Sequence, residues 1–251
     1  QDTLTAAYND LQAVEQLVAE NKNEIAAIII EPVAGNMGCI LPQEGFLKGL
    51  RKICDREGIV YIFDEVMTGF RLALGGAQER LNIDADLITY GKVIGAGMPV
   101  GAFGGKKEIM NHIAPVGSVY QAGTLSGNPL TMIAGSTLLS HLKNNPAIYT
   151  ELEEKTTYLK KGLNEVLRDS GTPYVINQMG SMISVHFSKK PVTDFASATA
   201  ANNTRFNQFF HAMLNRGVYL PPSAFESWFL NNALTYQDLD ATINAAKESL
   251  D

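Results

Sequence analysis

The sequence predicts an α/β protein built on a mostly parallel sheet, with a smaller α+β domain at its carboxyl end, and three observations predict it. Short, nearly continuous apolar runs recur through the first half of the chain, at 25–33, 59–66, 87–89 and 100–104. Amphipathic stretches separate them, and after Asn144-Asn145-Pro146 the pattern changes to long helices around one strand-like segment. Apolar runs without alternation suit strands covered on both faces, and a strand, helix, strand rhythm suits a parallel sheet layered with helices.

Each element has its own reason. Between the first two runs, 44–57 carries Phe46, Leu47, Leu50 and Ile53 at helical spacing and meets Gly58, a helix stop. Ser126-Gly127-Asn128-Pro129 opens a helical pattern that reaches about Lys143, with Ser126 as its expected cap. The boundary is expected at Pro146, giving a large domain over 1–145 and a small one over 146–251. The small domain reads as a charged helix at 148–169, a strand at 174–188, and helices near 206–215 and 237–250. No internal repeat or low-complexity tract interrupts this plan.

Composition narrows the function classes. The chain has 251 residues, 45% of them hydrophobic, enough to bury a sizeable core in one or two domains. A formal net charge of -6, without a basic run, argues against a nucleic-acid surface, which needs clustered positive charge to replace phosphate counterions. Cys39 and Cys54 form neither a metal spacing nor a disulfide framework, so no metal is expected and a reducing, cytoplasmic setting is. No apolar run approaches a membrane span, and Gln1-Asp2-Thr3 does not open an export signal, so a soluble protein is expected.

Two stretches carry chemistry. Tyr61-Ile62-Phe63-Asp64-Glu65-Val66 is an apolar strand closed by acids, and Thr89-Tyr90-Gly91-Lys92 is a strand end that delivers a lysine into a glycine-rich segment. Sheets of this class bind ligands beyond the carboxyl ends of their strands. A carboxylate there can hold a protonated pyridine nitrogen, and an amine beside it can form a Schiff base with an aldehyde, which is what pyridoxal phosphate (PLP) asks of a protein. Partial burial would disfavour the ammonium form of Lys92 and expose the neutral nucleophile. Bland readings stand beside these: a solvated lysine, and an acid that caps a helix or pairs with Arg71. Asp64 and Glu65 point to opposite faces, and spacing does not choose between them.

Two glycine-containing segments complete the pattern. Gly95-Ala96-Gly97-Met98-Pro99-Val100-Gly101 is no dinucleotide fingerprint: its third glycine comes one residue late, and Pro99 falls where the fingerprint needs a helix. Tyr120 to Pro129 is a polar loop feeding a helix, where hydroxyls and free N–H groups meet phosphate, and Thr124 is the expected contact.

These residues are similar to those of a known family. Glu31 to Gly38, Asp64 to Arg71, Gly91 to Ala102 and Tyr120 to Pro129, in that order, resemble the glutamate-1-semialdehyde 2,1-aminomutase family, in the class III aminotransferase group of fold type I PLP enzymes. Plain aminotransferases of the group usually carry Gln and Glu where this chain has Ala34 and Asn36, and Gln where it has Met67. The resemblance implies that Lys92 binds the cofactor and shuttles protons, and that Asp64 keeps the pyridine nitrogen protonated. It further implies that Val66 packs on the ring, Asn36 bonds its phenolic oxygen, and Thr124 reaches the phosphate of the neighbouring subunit, hence a homodimer. Glu226, in Pro222-Ser223-Ala224-Phe225-Glu226, matches a glutamate near the substrate. The implied reaction moves an amine within one small molecule, from glutamate 1-semialdehyde to the tetrapyrrole precursor 5-aminolevulinate, starting from the pyridoxamine phosphate form. The family's amino-terminal part, with a Ser-Gly-Thr phosphate loop and a gating loop, is not among these residues, so an amino-terminal segment of the same protein is expected to supply it. Rival readings are a class III aminotransferase with a separate amino acceptor and an inactive PLP-binding fragment. The sequence departs from many members at Asn231 and Leu234, where they have serine and histidine.

Overall fold

A computed structural model describes residues 2–250. The chain forms two compact units: Asp10–Pro32 with Glu44–Pro146, and Ala7–Asn9 with Val33–Gln43 and the residues from Ala147 onward. Val33–Gln43, expected in the first domain, clusters with the second unit. The reason is local burial: Ala34 and Ile40 pair with each other and pack with Val192 and Ala198.

In the first unit the chain runs through α1 (Leu11–Glu20), β1 (Ala27–Ile30), α2 (Phe46–Glu57), β2 (Val60–Asp64), α3 (Gly76–Leu81), β3 (Leu87–Tyr90), β4 (Ala102–Gly105), α4 (Lys107–Met110) and α5 (Pro129–Asn144). The sheet order is β1-β2-β3-β4. The first three strands are parallel, with Ile30 opposite Phe63 and Asp64 opposite Thr89. β4 is antiparallel to β3, which corrects the expectation of a fourth parallel strand. A parallel neighbour needs a crossover of about a dozen residues or more, usually a helix, whereas residues 91–101 hold only a 3-10 turn, Lys92–Gly95. Burial is also less than expected of a parallel sheet, since Ile29 and Phe103 are 63% and 44% exposed.

α2 buries Phe46, Leu47, Leu50 and Ile53, the face read from its spacing, and stops at Gly58, whose φ of 67° suits glycine and whose N–H reaches the Cys54 carbonyl. Asp86 fastens the layers, accepting from Lys106 Nζ at 2.6 Å, the Tyr61 N–H at 2.7 Å and Arg51 Nη1 at 2.9 Å. Burial works against its charge, but these partners outweigh burial and hold its carboxyl below the usual range. The cap of α5 is Asn128 and not Ser126: its side chain accepts from the Leu130 and Thr131 N–H groups, and Pro129 fills the first helical position.

The second unit contains α6 (Ala147–Asp169), β5 (Val175–Met179), β6 (Met182–His186), α7 (Phe195–Thr199), α8 (Asn203–Leu214), β7 (Trp228–Phe229) and α9 (Tyr236–Glu248). The single strand expected at 174–188 is a hairpin, turned at Gly180 with φ 54°. β6 is buried along its whole length between β5 and β7. Leu159, Leu163 and Leu167 of α6 meet Phe206, Phe209 and Met213 of α8 in its core.

Candidate active site

Asp64 closes β2, and Lys92 lies two residues beyond β3, the next strand in the sheet. Asp64 therefore stands at, and Lys92 just past, the carboxyl ends of adjacent parallel strands, the side of such a sheet that takes ligands. The Val66 N–H donates to Asp64 Oδ1 at 3.0 Å, and Thr89 Oγ1 donates to the same oxygen at 3.4 Å. Asp64 Oδ2 has no hydrogen-bond partner among the described residues, and the side chain is half-buried. Arg71 Nε donates to the Met67 carbonyl at 2.9 Å.

The ambiguity between the two acids resolves on tertiary contacts. Glu65 is fully buried and accepts from the Ala77 N–H at 2.6 Å, Thr68 Oγ1 at 3.0 Å and the Gln78 N–H at 3.2 Å. Burial pushes its carboxyl above the usual range even though these three donors oppose the shift. It is committed to the start of α3, which leaves Asp64 as the acid with an open oxygen.

Lys92 has φ 49°, a left-handed conformation that costs a non-glycine residue of order 1–3 kcal/mol and persists only where the surroundings impose it. Two close approaches flank it here. Gly135 of α5 approaches so closely that a Cβ there would stand 2.2 Å from the Ile94 carbonyl oxygen, and Val66 lies over Gly91, where a Cβ would be 3.2 Å from Val66 Cγ1. Lys92 itself is exposed, so the residues of this chain do not supply the partial burial expected of it. Neither the Thr89 bond to Asp64 nor the approach of Gly135 to Ile94 is marked locally in the sequence, because each joins residues distant along the chain.

These groups fit PLP by their own chemistry. An amine at Lys92, a carboxylate with one open oxygen at Asp64, and an apolar side chain at Val66 match an aldehyde, a ring nitrogen and a ring face. Thr124 is exposed in the turn that precedes α5. Beside that turn a cavity of about 1200 Å³ is lined by Phe70, Tyr90, Val100, Gly123, Ser126 and Thr131; neither Asp64 nor Lys92 lines it. Asn36 and Glu226 belong to the second unit, and both are exposed. Cys39 and Cys54 are free and buried, and burial pushes the Cys39 thiol up to about 12, so neither is poised as a nucleophile.

The fold is that of the class III transaminases. The chain belongs to this family: the model of class-III aminotransferases matches residues 1–248. Glutamate-1-semialdehyde 2,1-aminomutase from Flavobacterium johnsoniae is 62% identical over 244 residues, 97% of this chain and 57% of that protein. Six further relatives at 51–58% identity bear the same name. An omega-transaminase from Sphaerobacter thermophilus superposes with a TM-score of 0.89 at 32% identity, over 97% of this chain and 56% of that one. A glutamate-1-semialdehyde-aminomutase from Pseudomonas aeruginosa PAO1 in complex with PMP superposes at 0.85 with 23% identity, over 98% and 55%, which speaks to the fold alone. The chain thus spans a little over half the length of the curated relatives it matches.

Proposed function

We propose that the complete protein is a PLP-dependent aminomutase that converts glutamate 1-semialdehyde to 5-aminolevulinate, and that it works in the cytoplasm as a homodimer. The observation that carries this reading is the pair of Asp64 and Lys92 at neighbouring strand ends, in a chain 62% identical to a protein of that name. The reading favours intramolecular transfer over transfer to a separate acceptor because the seven curated aminomutases are 51–62% identical to this chain, against 32% for the omega-transaminase.

Bound PLP supplies an electron sink beside the carbon that carries the amine, and the residues supply the rest. Lys92 would hold the cofactor through its Nζ, and as a free amine the same Nζ would carry a proton from one substrate carbon to another. Asp64 keeps a proton on the pyridine nitrogen through Oδ2, while Oδ1 stays fixed by the Val66 N–H and Thr89. Val66 excludes water from one ring face, and Asn36 donates to the phenolic oxygen. Thr124 serves the phosphate bound in the neighbouring subunit, and Glu226 faces the substrate. In an aminomutase the intermediate must stay bound until the second half of the reaction, and remote binding energy is available to hold it.

Lys92→Ala in the complete protein tests the reading. Loss of a residue that is nucleophile, base and acid in turn should lower turnover by at least about 10³-fold, and the pyridoxyl adduct trapped by borohydride on the Lys92 peptide should vanish. Near-normal turnover by this variant, or a wild-type requirement for a second keto substrate, would overturn it.

A further inference from the structure

Asn36 and Glu226 stand on segments that are bonded to each other. The pairing of Ala34 with Ile40 closes a loop whose backbone is buried at Gly35, Gly38 and Cys39, with Asn36 exposed at its tip. Glu226 is likewise exposed between half-buried Phe225 and buried Ser227. Two hydrogen bonds bracket the pair: the Gly38 N–H donates to the Phe225 carbonyl at 2.7 Å, and Ser227 Oγ donates to the Gly35 carbonyl at 3.3 Å.

The same loop is held from its other side by β6. The Cys39 N–H donates to Ser184 Oγ at 3.0 Å, and that hydroxyl lies 3.0 Å from His186 Nε2. The His186 ring packs on Gly38, where φ is 87° and a Cβ would come 2.4 Å from Cε1. Residues 35–38 are therefore clamped between β6 and the 225–227 segment. Ser227 is 2% exposed and directs its hydroxyl to a carbonyl 192 residues away, not to its own backbone, although serine hydroxyls readily bond locally.

We infer that Ser227 is a positioning residue, locking the loop that carries Asn36 to the segment that carries Glu226 so that the two side chains keep one fixed spacing. This rests on the reading of Asn36 as the partner of the cofactor's phenolic oxygen. A change beside the substrate glutamate should then be felt at the cofactor, because removing the Ser227 hydroxyl frees the Asn36 loop on one side.

The experiment is a pH titration of the absorbance of the Lys92–PLP Schiff base in the complete holoenzyme, for wild type, Asn36→Ala, Ser227→Ala and the double variant. Loss of one neutral hydrogen bond to the phenolic oxygen should move the midpoint by about 0.5–1 unit in Asn36→Ala. Ser227→Ala should move it in the same direction by about half as much, with no further shift when added to Asn36→Ala, since coupled residues are not additive. If Ser227→Ala does not fold, Ser227→Cys keeps the volume, weakens the donor and takes its place. A shift in Asn36→Ala with none in the Ser227 variants would overturn the positioning role and leave the Asn36 reading intact, as would an additive double variant. An unmoved midpoint in Asn36→Ala overturns both.

Discussion

Gly135→Ala sets two effects of opposite sign against each other. In a helix interior alanine is favoured over glycine by about 0.5–1 kcal/mol, and Gly135 lies inside α5. The added Cβ, however, would stand 2.2 Å from the Ile94 carbonyl oxygen. Even a close carbon to oxygen contact is about 3.3 Å, so the helix and the Lys92 turn must part by about 1 Å. The obstructing atom is backbone, and it belongs to a turn tied by Ala96 N–H to Val93 O at 3.0 Å and Met98 N–H to Gly95 O at 2.9 Å. It cannot swing aside as a side chain would. Overpacking of this kind costs about 1–3 kcal/mol, which set against the gain in propensity leaves a net loss of about 0–2.5 kcal/mol. The same displacement reaches Lys92, and a misplacement of about 1 Å costs of order 10²-fold in rate. Urea denaturation reads the first effect, and turnover by the complete protein reads the second. A variant more stable than wild type that also turns over at the wild-type rate would show that α5 does not set the lysine turn.

His186 on β6 and Asn128 at the start of α5 each carry a further expected outcome. Burial holds the His186 imidazole down to about 4, against an ordinary 6.5. The folded value lies below the unfolded one, so this contribution to stability is complete above about pH 6.5 and is lost as pH falls towards 4, amounting to about 3 kcal/mol at the acid end. His186→Gln should flatten that part of a urea-midpoint profile, and an unchanged acid slope would sink the assignment. Asn128→Ala should cost about 1 kcal/mol through loss of the α5 cap, whereas Ser126→Ala should leave the thermal midpoint where it is; the reverse ranking would mean the helix starts elsewhere.

What depends on a few neighbouring residues was legible along the chain. The buried face of α2 follows from Phe46, Leu47, Leu50 and Ile53, and its end follows from Gly58, because helical periodicity and glycine's left-handed freedom act over a few residues. The family was legible too, since its motifs are contiguous, and so were Asp64 and Lys92 as candidates, because a strand's last residues are defined by the run before them.

The remaining features arose only on folding, because contacts between groups distant along the chain leave no local mark. β4 reversed its direction because its connection carries only a turn. Glu65 was separated from Asp64 by the arrival of the Ala77 and Gln78 N–H groups, 12 and 13 residues further on. Gly135 and Ile94, or Ser227 and Gly35, look unremarked in one dimension; only folding brings a missing Cβ onto a carbonyl and a hydroxyl across 192 residues.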